Sequence, residues 1–155
     1  MKTLFIALFV SLLLCGCGSP NLDDPKTLDD IIAEAIDNDK LQERGKEGEE
    51  LYYAPNMQTP YSGWSKELYK NGQVEKLIQL KDGQWDGLFK MWYKNGQVEV
   101  EVHFLGGMQN GLETAWFENG QKTGEWMFEN NKLNGLVTKW FKNGQKKLEA
   151  NFKDD

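Results

Sequence analysis

Cysteine is nearly missing from this chain of 155 residues: its two copies, Cys15 and Cys17, lie in an N-terminal apolar stretch. The body after them must fold without a disulfide or a thiolate metal site. Histidine is scarcer still. His103 stands alone, so a two-histidine metal site is excluded, and its alternation with Glu99 and Glu101 reads as an exposed strand position. Four prolines against 16 glycines describe many tight turns, not a proline-rich linker. Excess positive charge is also lacking. The net charge is −6, and removal of residues 1–16, which hold Lys2 and no acid, leaves −7. An acidic body is repelled by phosphate backbones and by anionic lipid, which argues against nucleic acid as the main partner.

Signs of catalysis are missing too. Ser62 and Ser65 have no histidine near them in sequence and no nucleophile-elbow context. The glycines belong to hairpins and not to a phosphate loop at a strand–helix junction. Asp82 and Asp86 read as turn residues. The expectation is a protein that is not an enzyme and uses no cofactor and no metal.

What the chain does have is aromatic bulk: six Trp, eight Phe and five Tyr. In so short a chain these fill a small, thin structure.

The N-terminus reads as an address. Met1-Lys2-Thr3 is a short positive start, and the stretch Thr3–Leu14 is apolar apart from Thr3 and Ser11. It is too short to span a bilayer, which needs ~20 residues, and fits a signal-peptide core. Leu14-Cys15-Gly16-Cys17 then resembles a bacterial lipobox, with Gly16 as the small residue before the modified thiol of Cys17. The resemblance implies a signal peptide over 1–16 and a diacylated, N-acylated (palmitate-type) cysteine, a double anchor of the kind stable membrane attachment needs. Gly18-Ser19, with no Asp at the second position, resembles outer-membrane sorting in a Gram-negative host. An ordinary cleaved signal peptide and an uncleaved anchor are the alternatives.

Residues 17–26 read as a flexible tether, with two Pro, a Gly and two Asp. Thr27 is the candidate N-cap of a helix over about 28–44, with Leu28, Ile31, Ile32, Ala35 and Ile36 at helical spacing. Residues 45–50 (GKEGEE) break it, so 27–50 is a helix and polar linker.

From residue 51 onward the pattern is repetition. Asn71-Gly72, Asn95-Gly96, Asn119-Gly120 and Asn143-Gly144, each followed by Gln, recur every 24 residues. Gly63, Gly87, Gly111 and Gly135 keep the same step. So do the columns Leu68, Trp92, Trp116, Trp140 and Tyr69, Tyr93, Phe117, Phe141. A third apolar column is Leu80, Phe104, Phe128 and Phe152. Asn-Gly predicts a two-residue type I′ turn, and Asp82-Gly83, Gly106-Gly107 and Asn130-Asn131 a second turn in each period. The inner glycines Gly87, Gly111 and Gly135 predict a bulge or a close backbone approach. The resulting fold is all-β: a single-layer, twisted antiparallel meander of four hairpin repeats, at about 63–86, 87–110, 111–134 and 135–155, with a cap over 51–62. Alternation places Leu88 and Trp92 on one side and Phe89, Met91 and Tyr93 on the other, with Val98, Val100, Val102 and Phe104 sharing a side of the next strand.

These units resemble the MORN-variant repeat, the version known in bacteria as the YwqK-type antitoxin family. The resemblance rests on Gly87-Leu88 with Met91-Trp92-Tyr93-Lys94-Asn95-Gly96-Gln97, and on Gly111-Leu112 with Trp116-Phe117-Glu118-Asn119-Gly120-Gln121. The first copy departs from the pattern, with Trp64 after its glycine and Leu68 in the Trp column. The resemblance implies an elongated sheet that acts as an interaction platform. Trp64, Trp92, Trp116, Trp140, Tyr93, Phe117 and Phe141 are then core, or an open groove able to stack on a ligand. Lys70, Lys94 and Lys142 before the turns are solvated flanks, or a row facing an acidic partner. The expected role is a protein-binding scaffold at the cell envelope, lipid-anchored and on the outer membrane; the alternative is an antitoxin or immunity protein that masks a toxin.

Overall fold

The computed structural model describes residues 20–153, so the expected signal peptide over 1–16 and the expected lipidation at Cys17 lie outside the described residues. The strands fall in the predicted hairpins: β4 (Gly63–Leu68), β5 (Val74–Lys81), β6 (Gln84–Trp92), β7 (Val98–Leu105), β8 (Met108–Gln109), β9 (Gly111–Trp116), β10 (Lys122–Glu129), β11 (Lys132–Trp140) and β12 (Lys146–Phe152). They follow α1 (Pro25–Glu34), β1 (Ile36–Asp37), β2 (Gln42–Arg44) and β3 (Leu51–Tyr53). They pair antiparallel in the order β4-β5-β6-β7-β9-β10-β11-β12, with the short β8 pairing with β7 off this path. The fold is therefore the expected all-β meander with one short helix in front of it.

Of its two turn families, the Asn-Gly one differs from the expectation. At Asn71-Gly72 the N–H of Gly72 donates to the carbonyl of Tyr69, and the N–H of Tyr69 donates to the carbonyl of Gln73. Only the glycine has positive φ, +86°. That is a three-residue loop, a type I turn closed by a left-handed glycine, and not the predicted two-residue type I′ turn. The same bonds recur at Tyr93, Phe117 and Phe141. Asn71, Asn95, Asn119 and Asn143 accept from the backbone N–H two residues on, at 3.0–3.1 Å. The motif is Asn-Gly-Gln because the amide closes the turn and the glycine exits it. Type I′ geometry belongs instead to the second family: Asp82-Gly83, Gly106-Gly107 and Asn130-Asn131 have positive φ at both positions.

The inner glycines lie opposite irregular register. Pairing of β5 with β6 shifts between Ile78 and Leu80, across from Gly87, and pairing of β10 with β11 shifts between Trp126 and Phe128, across from Gly135. The extra residues are on the glycine strand, so Gly87 and Gly135 sit inside the bulges, and the side chain of the facing residue fills the space over the glycine, as Gln79 does at Gly87.

The N-terminal segment departs furthest from expectation. The helix is ten residues long and its cap is Asp24, whose carboxylate accepts from the N–H and hydroxyl of Thr27. Thr27 is thus inside the first turn, and Pro25 opens it, as proline can where no N–H partner is lost. Helix does not continue to 44, because Ile36 and Asp37 leave it to pair in parallel with Ser65 and Lys66 on the outer edge of β4. An edge strand's free N–H and C=O groups outweigh helical spacing there. Residues 42–44 and 51–53 form a separate small hairpin. Nor is 17–26 free throughout: Leu22 is buried.

Directly opposed residues share a face, so the register sorts the side chains. On one face Leu77, Leu88 and Trp92 meet Leu22 and Ala35 in a core that Leu28, Ile31, Ile32, Trp64, Val74 and Val98 extend. Val98 lies opposite Trp92 after a register shift, and so does not share a side with Val100, Val102 and Phe104 as alternation predicts. The other face holds Ile78, Leu80 and Val102, buried under an aromatic trio. Trp85 stacks on Phe89 at 5.5 Å and meets Phe104 edge-on at 5.0 Å.

Candidate interaction surface

The clearest site is the edge of the sheet formed by the Asn-Gly loops. Each loop begins with an aromatic ring, and the 24-residue step sets these rings in a row along the array. The hydroxyl of Tyr69 donates to the carbonyl of Trp92 at 2.6 Å, and that of Tyr93 to the carbonyl of Trp116 at 2.9 Å. Each tyrosine thus ties its repeat to the next. Phe117 and Phe141 keep the ring without the donor. Lysines stand over the rings of preceding units: Lys94 is 5.7 Å from the centre of Tyr69, and Lys142 is 5.6 Å from that of Phe117. Glu118 breaks this series over Tyr93, where Asn95 donates to the Glu118 carbonyl instead. The lysine row is therefore partly a set of cation–π lids.

Shallow clefts open between the loops. One, of about 610 Å³, is lined by Leu68, Tyr69, Lys70, Asn71, Glu75 and Lys94. Another, of about 470 Å³, is lined by Phe117, Trp140, Phe141, Lys142, Asn143 and Lys147. The phenol pKa of Tyr69 and of Tyr93 is raised, first by burial and then by neighbouring carboxylates, Glu75 and Glu99 at Tyr69 and Glu99 and Glu118 at Tyr93. Both hydroxyls therefore stay protonated donors well past neutrality.

The tryptophan column is graded and not uniform. Trp92 is buried beneath α1, while Trp116 and Trp140 are half-buried and Leu68 is exposed. Trp64 packs against the same core as Trp92. The column is core at Trp92, beneath the helix, and more open on either side, at Leu68 before it and at Trp116 and Trp140 after it. Alternation alone cannot reveal this, because what covers the face is a helix from outside the repeats.

Two further features escaped the sequence pattern. Lys90 is 4% exposed and is held between Asp23 at 3.1 Å and Glu101 at 2.9 Å. Only docking of the N-terminal segment brings Asp23 there. Trp85 anchors the aromatic trio, but its column of Tyr61, Gln109 and Leu133 holds no other tryptophan and no constant residue type, so periodicity did not mark it. His103 is a half-buried strand residue. Among the described residues, no three His, Cys, Asp or Glu side chains group to hold a metal ion, and no helix is long and apolar enough to cross a membrane.

The repeating unit now has a defined shape: a glycine within a bulge, an aromatic pair, and a three-residue Asn-Gly loop. Residues 85–105, 109–130 and 133–154 each match the family model of the MORN repeat variant. No curated protein and no solved structure matches the chain. The MORN-variant segments cover the second, third and fourth hairpin units. The first unit, with Trp64 and Leu68 at altered positions, lies outside them and carries β1 on its edge. Tandem MORN-variant repeats of this kind suggest a repeat-based binding scaffold.

Proposed function

We propose that this protein is a non-enzymatic lipoprotein, held at the cell envelope by lipid on Cys17, whose MORN-variant array binds another protein. The observation that carries the reading is the loop edge, where an aromatic ring recurs every 24 residues, clefts open between the loops, and tyrosines tie the first three units together. Rigid ribbons that present aromatic and lysine side chains at fixed spacing suit recognition of a polypeptide surface. The lipobox-like Leu14-Cys15-Gly16-Cys17 supports the anchor, and the residue after next, Ser19, supports the outer membrane. Since Leu22 is docked on the sheet, the slack between it and Cys17 is no more than about 18 Å at full extension. The first unit would then lie close to the bilayer, with the open end of the array directed at its partner.

Cys17→Ser should abolish fatty-acid labelling and release the chain from membranes; unchanged membrane association would sink the anchor. Crosslinking in cells through a photoreactive residue at Phe141 should trap one protein neighbour, and capture of none would count against the scaffold. The alternative, an immunity or antitoxin role, draws on the resemblance to YwqK-type repeats. It predicts that the captured neighbour is a toxin whose activity falls when this protein is added.

A further inference from the structure

The charges of this chain are segregated along the array. Residues 20–131 carry 21 acidic and 11 basic side chains, a net of −10. Residues 132–153 carry six lysines and one glutamate, a net of +5, which becomes +3 with Asp154 and Asp155. The last repeat is a basic end on an acidic body.

It also holds the last ring of the row among the described residues. Tyr69 is covered by Lys94 and the Trp92 carbonyl of the next unit. Phe141 has no following unit among the described residues and is 48% exposed. It lines the 470 Å³ cleft together with Phe117, Trp140, Lys142 and Lys147. Lys147 stands 5.5 Å from its ring centre. Beside this cleft, β12 has one strand partner, β11, so its outer N–H and C=O groups are open among the described residues.

We propose that the last repeat docks an acidic polypeptide segment, laid along the open edge of β12, with its carboxylates against Lys142 and Lys147 and an apolar side chain over Phe141. The proposal rests on the scaffold reading above and adds to it the place and the chemistry of the partner. Strand addition supplies main-chain hydrogen bonds, and the cleft supplies selectivity. Two other occupants fit less well. A second copy would bring its own lysine-bearing β12 against Lys146 and Lys147, and like charges on an edge disfavour that pairing. An anionic membrane or a long nucleic acid would extend past the basic repeat onto the acidic body. One hairpin is only ~10 Å wide, about one Debye length, so the repulsion begins within the footprint.

The test uses the full chain in neutral detergent and a short labelled peptide of repeated Glu-Val-Glu-Thr, with a Lys-Val-Lys-Thr peptide as its counterpart. Anisotropy should show the glutamate peptide binding at least about tenfold more tightly. The double variant Lys142→Glu, Lys147→Glu should lose about tenfold, the sum of two modest charge contacts, while Lys142→Arg, Lys147→Arg keeps binding. Charge reversal at Lys70 and Lys94, in the first and second units, should leave it unchanged. Circular dichroism checks the fold, and Lys142→Gln, Lys147→Gln replaces the reversal variant if that unfolds. Equal binding of the two peptides, or an equal loss from the Lys70 and Lys94 variant, overturns the proposal. So does a dimer in sedimentation that the Lys142 and Lys147 reversal dissociates, which assigns the patch to a second copy. Binding of phosphatidylglycerol vesicles by the Cys17→Ser chain through the same lysines assigns it to the membrane. If crosslinking captures a neighbour on another part of the sheet, the scaffold stands and this inference alone falls.

Discussion

Trp92 and Trp140 occupy the same column of the repeat and differ in what lies over them. Trp92 is 5% exposed beneath Leu22, Ala35 and α1, whereas Trp140 is half-buried beside the terminal cleft. Removal of a buried aromatic costs the lost transfer energy plus a cavity. Trp92→Ala should therefore destabilise by about 3–5 kcal/mol, and Trp140→Ala by less than about half of that, in urea unfolding followed by fluorescence. Equal losses would mean that the column is packed alike throughout. Lys90 follows the same logic of local cover. Its ammonium is tolerated inside because Asp23 and Glu101 both reach it, and the Trp92 ring lies 5.9 Å away.

At the scale of the element, the hairpin loops separate backbone strain from packing. Gly72 and Gly83 both have positive φ, +86° and +78°. A Cβ on Gly72 meets nothing within 4 Å, but one on Gly83 would lie 2.9 Å from the Cβ atoms of Leu51 and Pro60. Gly83 is also bonded into the N-terminal cap: its N–H donates to the Tyr61 carbonyl, and its carbonyl accepts from the Tyr52 N–H. Gly72→Ala should cost about 1–2 kcal/mol, the left-handed strain alone. Gly83→Ala adds a clash of about 1–3 kcal/mol and should lower the melting temperature by visibly more. Matching melting curves for the two variants would show that the cap yields without resistance. The loops thus do two jobs, with type I turns presenting the loop edge and type I′ turns receiving the cap at one of them.

For the whole molecule, protonation sets the range over which the array holds. Tyr52, Tyr61, Tyr69 and Tyr93 all have phenol pKa values raised above the ordinary 10.0, with burial as the first cause in each. A raised folded-state value favours the protonated form. The stability these groups contribute is complete below pH ~10 and is lost as pH rises through the folded values. Alkaline titration should show tyrosine absorbance rising late and together with loss of the β-sheet signal. A rise in the ordinary phenol range with the fold intact would contradict the tyrosine ties between repeats. At the acid end Asp24 has the opposite sign. The Thr27 hydroxyl and then its N–H hold the carboxyl below its ordinary value of 3.8, so the cap weakens as pH falls below that.

How much of this was legible follows from what repeats and what does not. Four glycines, four Asn-Gly pairs and the aromatic columns at one step can satisfy backbone and burial only as stacked hairpins, so the meander could be read from spacing alone. Turn type could not, because Asn-Gly is compatible with a two-residue and a three-residue loop, and the choice depends on how the flanking strands pair. The extent of α1 was equally out of reach. Helical spacing in Ile36 competes with the open edge of β4, which exists only once the sheet has formed. By itself, then, the sequence determined the repeat, the strands and the rings at each loop, because these are local periods. The tertiary structure decided which tryptophans are core, why Lys90 is buried and which end of the array stays open, because each depends on where a segment from outside the repeats comes to rest.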